Sequence, residues 1–245
     1  MGRLTLSRIS KGGDRETSPP IGGGGIVSRM TGLLTAEITI RAVIFDYGGV
    51  LVRTEDDGLR RAWEQRLGLE AGELDRIVFE SETARLAAMG KLDEAEHWRW
   101  VAQRLGLSPQ QAAAFTFDFF ASDQADPELA ELIRSLRPRY KTGLLSNCWP
   151  SLRSTLQHQQ LDGLFDALIL SCEVGTAKPD PRIYQEALRQ LGVAPHEAVF
   201  IDDFPANVEG ARALGLQAIP FRDTPSLRRA LKALGVLEGG GAGRG

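Results

Sequence analysis

The chain has 245 residues, of which 42% are hydrophobic and 25% are charged, and its formal net charge is -3. This balance is typical of a globular protein that can bury one sizeable core, with or without a small satellite domain. It leaves no basic field that would attract DNA or RNA, and no apolar stretch approaches the roughly 18 residues of a membrane span. The two cysteines provide neither a disulfide framework nor a zinc-site spacing, so we expect a reducing, cytoplasmic setting without nucleic-acid or membrane partners.

The two ends of the chain differ from the rest in composition. Residues 1–37 include SKGGDRETSPPIGGGG, which lacks apolar periodicity and is rich in Gly, Pro and Ser. We predict a disordered N-terminal extension there and a flexible tail over residues 238–245. Met30 opens a more ordinary sequence, so the first 29 residues are either part of this extension or the product of an over-long gene start.

From residue 39 onward, short apolar runs alternate with helical patterns, and each run has the length and composition of a buried strand. The predicted strands are residues 40–45, 142–147, 167–172, 198–203 and 217–221. A capping residue followed by proline marks three helix starts, at Asp126-Pro127, Asp180-Pro181 and Thr224-Pro225. The repeated strand–helix unit predicts an α/β fold, a Rossmann-like parallel sheet of about five strands with helices on both faces.

One long segment interrupts this alternation. Residues 55–122 carry helical patterns only, in four amphipathic stripes, the second of which runs from Leu74 to Ser81. Roughly 70 helical residues are too many for a simple connection between two strands. We therefore predict an all-helical cap of four helices over residues 55–122, inserted into a core that comprises residues 38–54 and 123–237.

The carboxyl ends of the predicted strands carry polar residues that suit phosphoryl transfer. They are Asp46, the pair Ser146-Asn147, Lys178 and the pair Asp202-Asp203. Open α/β sheets bind ligands at this edge, and a metal ion and a lysine are needed there before a carboxylate can approach a phosphate. Each feature alone has a structural alternative, as a strand end, a turn or a helix cap. Because all of them occur in order on successive strand ends, a shared catalytic site is favoured over these separate structural roles.

Four segments together resemble the motifs of the haloacid dehalogenase (HAD) superfamily of hydrolases, namely VIFDYGGVL, GLLSN, GTAKPDPRIYQEAL and VFIDDFPANVEGARALG. The resemblance extends from residue 39 to about residue 235 and includes a C1-type helical cap. It implies that Asp46 is the nucleophile and that Ser146, Asn147 and Lys178 bind the transferred group.

The same resemblance implies a Mg²⁺ site at Asp46, the Gly48 carbonyl and Asp203, with Asp202 helping directly or through water. The predicted cap also contains the segment AAMGKLDEAEHW, which resembles the family's specificity loop. That likeness would place Gly90, Lys91 and Leu92 near the substrate.

Gly48 departs from the family pattern, because phosphatases of this kind usually carry a second aspartate there. That carboxyl protonates the leaving oxygen and then activates water, and such a group contributes about 10²–10⁴ in rate. Three explanations stay open. The leaving group needs little protonation, as in an anomeric sugar phosphate, an acyl phosphate or an activated phosphonate; a cap residue (Glu94, Glu96 or His97) supplies the proton; or catalysis is largely lost.

The predicted function is a Mg²⁺-dependent phosphatase that acts on a small phosphorylated metabolite through an aspartyl phosphate. The alternative is a catalytically weakened protein that binds a phosphorylated ligand or a protein partner. Dehalogenation is disfavoured because attack at carbon needs no metal and leaves the pair Asp202-Asp203 unexplained. Phosphonate cleavage on this scaffold resembles a reaction in which a lysine of the cap forms an imine with the substrate. Lys91 is the only lysine in the predicted cap, so this reaction also stays open. The sequence leaves open whether the protein is a homodimer.

Overall fold

The structure is a computed structural model that describes residues 39–238. The predictions for residues 1–37 and for nearly all of the tail 238–245 lie outside the described residues. Among the helices within this range, none has both the length and the apolar character that crossing a membrane requires.

A five-stranded parallel sheet forms the centre of the described fold. The strands in chain order are β1 (Ala42–Phe45), β2 (Val52–Thr54), β3 (Asp123–Ala125), β4 (Lys141–Ser146), β5 (Ala167–Leu170), β6 (Ala198–Asp202) and β7 (Gln217–Pro220). The sheet has the order β5-β4-β1-β6-β7, so the first strand of the chain lies in the middle. Phe45 pairs with Leu144 on one side and with Ile201 on the other. This register brings the residues that follow β1, β4 and β6 to one edge of the sheet.

Apolar side chains alternate between the two faces of the sheet. In β1, Val43 and Phe45 belong to one buried cluster, whereas Ala42 and Ile44 belong to a second cluster on the opposite face. Burying a side chain as large as Phe45 contributes about 1.5–3 kcal/mol. A strand that is buried on both faces needs helices on both faces, and this confirms the predicted α/β fold.

The described residues also form eleven α-helices. They are α1 (Gly58–Leu67), α2 (Glu73–Phe79), α3 (Glu82–Ala88), α4 (Glu94–Arg104), α5 (Pro109–Phe120), α6 (Pro127–Leu136), α7 (Ser151–His158), α8 (Ser171–Val174), α9 (Pro181–Leu191), α10 (Pro205–Ala213) and α11 (Thr224–Ala233).

The predicted strands differ from the observed ones by one or two residues at their ends, and two of the predicted boundaries are wrong for a specific reason. The strand predicted to reach residue 172 ends at Leu170, because Ser171 starts α8 and its hydroxyl donates to the Ala88 carbonyl, at 2.5 Å. The cap of α11 is Asp223 and not Thr224, since the Asp223 carboxylate accepts from the backbone N–H of Ser226. The other two predicted caps, before α6 and α9, are present.

The helical insertion, residues 55–122, contains five helices where four were predicted. The predicted second stripe is divided, because the Ser81 hydroxyl accepts from the Ala84 N–H and starts α3. The short strands β2 and β3 pair in antiparallel fashion at the base of the insertion. Neither strand was predicted from the sequence. The insertion has its own buried apolar cluster, formed by Trp63, Leu74, Ile77, Val78, Val101, Phe115 and Phe119.

Candidate active site

Three charged side chains meet at the carboxyl edge of the sheet. Lys178 Nζ lies 2.7 Å from Asp46 Oδ1 and 2.7 Å from Asp202 Oδ2. All three residues are buried, and Asp202 has no exposed surface. Since a buried charge is costly unless it is paired, the lysine is what allows two carboxylates to stand this close to each other.

The two oxygens of Asp202 are occupied by further contacts. Its Oδ1 accepts from the Phe204 N–H at 2.8 Å, and Asn207 Nδ2 lies 3.1 Å from both carboxylate oxygens. The carboxylate also faces the first turn of α10, where the helix dipole favours negative charge. Asp202 is therefore held in place by the fold. Asn207 was not among the predicted site residues, although its place in the first turn after Asp202-Asp203 is a signal for such a contact.

A third carboxylate completes the cluster. One oxygen from each of Asp46, Asp202 and Asp203 lies within 4.8 Å of the other two. Gly49 closes over this group: its φ is 77°, and a Cβ at this position would lie 2.2 Å from Asp203 Oδ2. Asp203 is exposed, and its carboxylate has no partner on another side chain within residues 39–238. Three carboxylates form the hard-oxygen donor set that Mg²⁺ and Ca²⁺ prefer, so the residues fit a divalent cation.

The cluster contains more negative than positive charge, because one lysine faces three carboxylates. Burial, with a further contribution from Asp202, raises the pKa of Asp46 to about 7 even though Lys178 opposes the shift. Burial and Asp202 also raise the pKa of Asp203. For Lys178, burial acts to lower the pKa, but Asp46 and Asp202 outweigh it and raise the pKa. The lysine therefore stays charged, and the remaining negative charge favours a cation.

Asn147 and Ser146 lie beside this cluster in different environments. The Asn147 side-chain oxygen accepts from the Lys178 N–H at 2.7 Å, and its amide nitrogen donates to the Lys178 carbonyl at 2.9 Å. Asn147 thereby fixes the loop that carries the lysine. The buried Ser146 hydroxyl makes one long contact, 3.4 Å to the Asn147 carbonyl, so it is the freer of the two to bind a ligand.

The family model for haloacid dehalogenase-like hydrolases matches residues 40–215, which is more than half of the chain. The chain belongs to this family. Its relatives include a phosphatase from Mycobacterium tuberculosis, MT3486, which is 33% identical over 83% of this chain and all of the relative. D-ribitol-5-phosphate phosphatase from Bacteroides thetaiotaomicron is 26% identical over 80% of this chain and 98% of the relative.

A solved structure of a HAD-like family hydrolase from Porphyromonas gingivalis has a TM-score of 0.64 and 28% identity, and it covers 79% of this chain and 98% of that chain. The family comparison confirms the superfamily that the sequence motifs indicated. Phosphatases are among the relatives of this HAD-like protein.

In this HAD-like fold, the predicted specificity segment AAMGKLDEAEHW lies where the helical insertion contacts the carboxyl edge of the sheet. We call this contact region, in which Gly90 meets Cys172 and Glu94 meets Ser151, the seam. Gly90 has a φ of 65°, and a Cβ there would lie 2.3 Å from the Cys172 carbonyl oxygen. Glu94 accepts from the Ser151 N–H at 2.9 Å and from its hydroxyl at 2.7 Å. Lys91 is exposed in a groove of about 790 Å³ along this seam. Within residues 39–238, neither Gly90 nor Lys91 makes a hydrogen bond or ion pair with the acidic cluster.

The candidate proton donors of the insertion are engaged away from the acidic cluster. Both Glu94 oxygens are taken up at the seam, where Trp98 Nε1 also donates to one of them at 3.4 Å. Glu96 faces Arg99 on the surface of α4. His97 is fully buried, its Nδ1 lies 2.9 Å from Thr83 Oγ1, and burial lowers its pKa. The hypothesis that one of them protonates the leaving group therefore finds no support in their positions.

Proposed function

We propose that this protein is a Mg²⁺-dependent phosphatase that transfers the phosphoryl group of a small phosphorylated metabolite to Asp46 and then releases phosphate. The observation that carries the proposal is the arrangement of Asp46, which touches Lys178 at 2.7 Å and shares a 4.8 Å cluster with Asp202 and Asp203. Membership of a hydrolase family whose members include phosphatases supports it.

The contacts of Asp46 suit a nucleophile. The Tyr47 N–H donates to Asp46 Oδ1 at 2.6 Å, and Lys178 Nζ contacts the same oxygen. Both contacts therefore use Oδ1, and Oδ2 has no partner among the described residues. One oxygen fixes the orientation of the carboxylate, and the other is left to attack phosphorus.

Asp46, Asp203 and the Gly48 carbonyl would hold the cation, with Asp202 beside them. The cation would supply positive charge that offsets the repulsion between the phosphate and the carboxylates. Lys178 supplies a second, fixed positive charge, and the Ser146 hydroxyl provides a hydrogen-bond donor for a phosphate oxygen. Asn147 keeps the Lys178 loop in position.

The helical insertion is proposed to act as the cap of this site, over a core of residues 38–54 and 123–237. Three features support this role. The insertion has its own apolar cluster, it joins the rest of the chain through the paired strands β2 and β3, and it meets the sheet edge at the seam. In this role Gly90 and Lys91 lie where the cap meets the core, which suits a part in substrate selection.

The test is phosphate release from a panel of phosphorylated metabolites, with and without Mg²⁺. We expect release that depends on Mg²⁺ and is abolished by Asp46→Asn, together with phosphorylation of Asp46 in acid-quenched protein. A panel without turnover, combined with no BeF₃⁻ captured at Asp46, would instead support the alternative of a protein that only binds phosphorylated ligands.

A further inference from the structure

We infer that this site selects substrates whose leaving oxygen departs as a stable anion, acyl phosphates first and anomeric phosphates next, and that hydrolysis of phosphorylated Asp46 is its slow step. The inference rests on the proposed function and adds a substrate class and an order of rates to it. It excludes simple alkyl phosphates as good substrates.

The first observation concerns the space at Gly48. This residue lies between the nucleophile Asp46 and Gly49, which packs against Asp203. Gly48 is exposed, its φ lies outside the left-handed region, and a Cβ built on it meets no atom within 4 Å. The side of the acidic cluster next to Gly48 is therefore open, and no neighbouring side chain occupies the place that an acid at residue 48 would take.

The second observation concerns the proton donors around the site. Lys178 Nζ is bound between the carboxylates of Asp46 and Asp202, at 2.7 Å from each. The Tyr47 hydroxyl donates to Gln159 Oε1 at 3.5 Å. In the insertion, His97 is buried against Trp149, at 4.7 Å between ring centroids, and the carboxylate of Glu94 is engaged by Ser151. None of these groups is placed to give a proton to a leaving oxygen.

The first chemical step then depends on the leaving group itself. Asp46 Oδ2 attacks phosphorus, the bond between phosphorus and the leaving oxygen breaks, and its electron pair stays on that oxygen. A carboxylate carries this pair without a proton, and a hemiacetal oxygen carries it better than an alkoxide does. An alkyl phosphate needs a proton at this moment, and none of the four side chains considered above is placed to supply it.

The second step lacks a catalyst as well. Water attacks the phosphorus of the aspartyl phosphate and gives its proton to bulk solvent, and the bond from phosphorus to the Asp46 oxygen breaks to give phosphate and the free carboxylate. The group that would accept the proton from water is the group that is absent beside Gly48. For a substrate with a stable leaving anion, the first step is fast and the second is slow, so phosphorylated Asp46 accumulates.

The test is rapid-quench kinetics on the full chain with Mg²⁺, with acetyl phosphate, 4-nitrophenyl phosphate and glycerol 3-phosphate as probes. We expect a burst close to one leaving group per site with the first two probes, the same steady rate after it for both, and a phosphoryl group on Asp46 in the quenched protein. Glycerol 3-phosphate should react slowly and without a burst.

A matched pair of variants locates the cause. Gly48→Asp should remove the burst and raise the steady rate by about 10²–10⁴-fold, with the larger gain on glycerol 3-phosphate. Gly48→Asn has nearly the same shape but no ionisable acid, and it should show no such gain. If Gly48→Asp does not fold, the presence or absence of the burst in the wild-type protein is sufficient to test the inference.

Three results would contradict these proposals, and they distinguish a failure of the inference from a failure of the proposed function. Equal turnover of glycerol 3-phosphate and acetyl phosphate without a burst would overturn the inference and leave the phosphatase function intact. No phosphate from any probe and no phosphoryl group on Asp46 would overturn the proposed function itself. A folded Gly48→Asp protein without any gain would also overturn the inference, because it would place the acid–base group elsewhere.

Discussion

Two buried aspartates, Asp126 and Asp202, have similar local contacts but different charges around them. Asp126 follows β3 and caps α6, and Asp202 ends β6 ahead of α10. Each accepts from the backbone N–H two residues later, at 2.9 Å for Glu128 and 2.8 Å for Phe204. Each also has a cation at 2.7 Å, Arg53 for Asp126 and Lys178 for Asp202.

The difference is in the balance of charge. Asp126 has one cation to itself, and its second partner is the neutral hydroxyl of Thr224 at 2.8 Å. Burial acts to raise its pKa, but the hydrogen bonds from Leu129 and Thr224 and the charge of Arg53 outweigh this and lower it. Its network is balanced and stabilises the fold.

Asp202 instead shares one lysine with Asp46 and stands next to Asp203, so the cluster has surplus negative charge. Burial, with a smaller contribution from the charge of Asp202, raises the pKa of Asp46 to about 7. A buried surplus of charge costs stability, and folding alone does not explain it. In the structural network the hydrogen bonds and the cation outweigh the effect of burial on Asp126, whereas in the candidate active site one lysine does not outweigh it for Asp46.

The largest effect is expected for Asp46→Asn. Phosphate release should fall at least about 10⁴-fold, because the nucleophile is lost. The melting temperature of the metal-free protein should rise at pH 8, because a neutral amide relieves the surplus charge while Lys178 keeps Asp202 at 2.7 Å. Each kcal/mol gained corresponds to about 2–4 °C for a chain of this size. Calorimetry measures this, and a lower melting temperature would contradict the proposed surplus of charge.

The next effect concerns the cation. Asp203→Asn should weaken Mg²⁺ binding by about 10–100-fold, because Asp203 is the carboxylate whose oxygens the fold leaves free. Titration calorimetry gives the affinity. The melting temperature in saturating Mg²⁺ gives an independent reading, since a bound cation stabilises the folded state. Asp126→Asn is the matched control, and its Mg²⁺ affinity should equal that of the wild-type protein. An unchanged affinity in Asp203→Asn would remove Asp203 from the site.

A smaller effect is expected when the balanced network is broken. Asp126→Ala removes the cap of α6 and leaves Arg53 and Thr224 without their shared partner. The free energy of unfolding should fall by about 2–4 kcal/mol. Urea unfolding measures it. Phosphate release per folded molecule should stay the same, and a loss of activity in the folded variant would mean that the two networks are coupled.

Much of this arrangement could be predicted from the sequence, because parallel strands place their carboxyl ends at one edge. Asp46, Lys178 and Asp202 were expected to meet there, and the structure brings them into contact. The positions of the strand ends did not identify Asn207, because its contact with Asp202 also depends on which side of α10 faces the sheet.

Elements that depend on few residues were also missed. Strands β2 and β3 have three residues each, too few for a periodic pattern, and their pairing joins residues far apart in the chain. The division between α2 and α3 depends on one hydroxyl, that of Ser81, within an apolar stripe that continues past it. The same limit applies to the seam, since its hydrogen bonds join the insertion to the core and leave no mark on either local pattern.

The smallest effect distinguishes the two networks by the sign of their pH dependence. The folded state lowers the pKa of Asp126 below its ordinary 3.8, so the stability that this carboxylate contributes is present above pH 3.8 and is lost as the pH falls through the folded pKa. Asp126→Asn keeps a capping side chain but loses the charge. It should therefore be less stable than wild type by about 1–2 kcal/mol at neutral pH, and this difference should shrink below pH 3.8.

Asp46 should show the opposite sign. Its folded pKa of about 7 lies above its ordinary 3.8, so the folded state holds the proton more tightly and wild-type stability falls as the pH rises between these values. The metal-free Asp46→Asn variant escapes this loss, and its advantage over wild type should grow up to about pH 7 and then level off. Urea unfolding of both variants and wild type in EDTA across pH 3–8 measures the two curves. Parallel curves would show that the two carboxylates are in equivalent environments, and the distinction between a balanced and an unbalanced network would then be wrong.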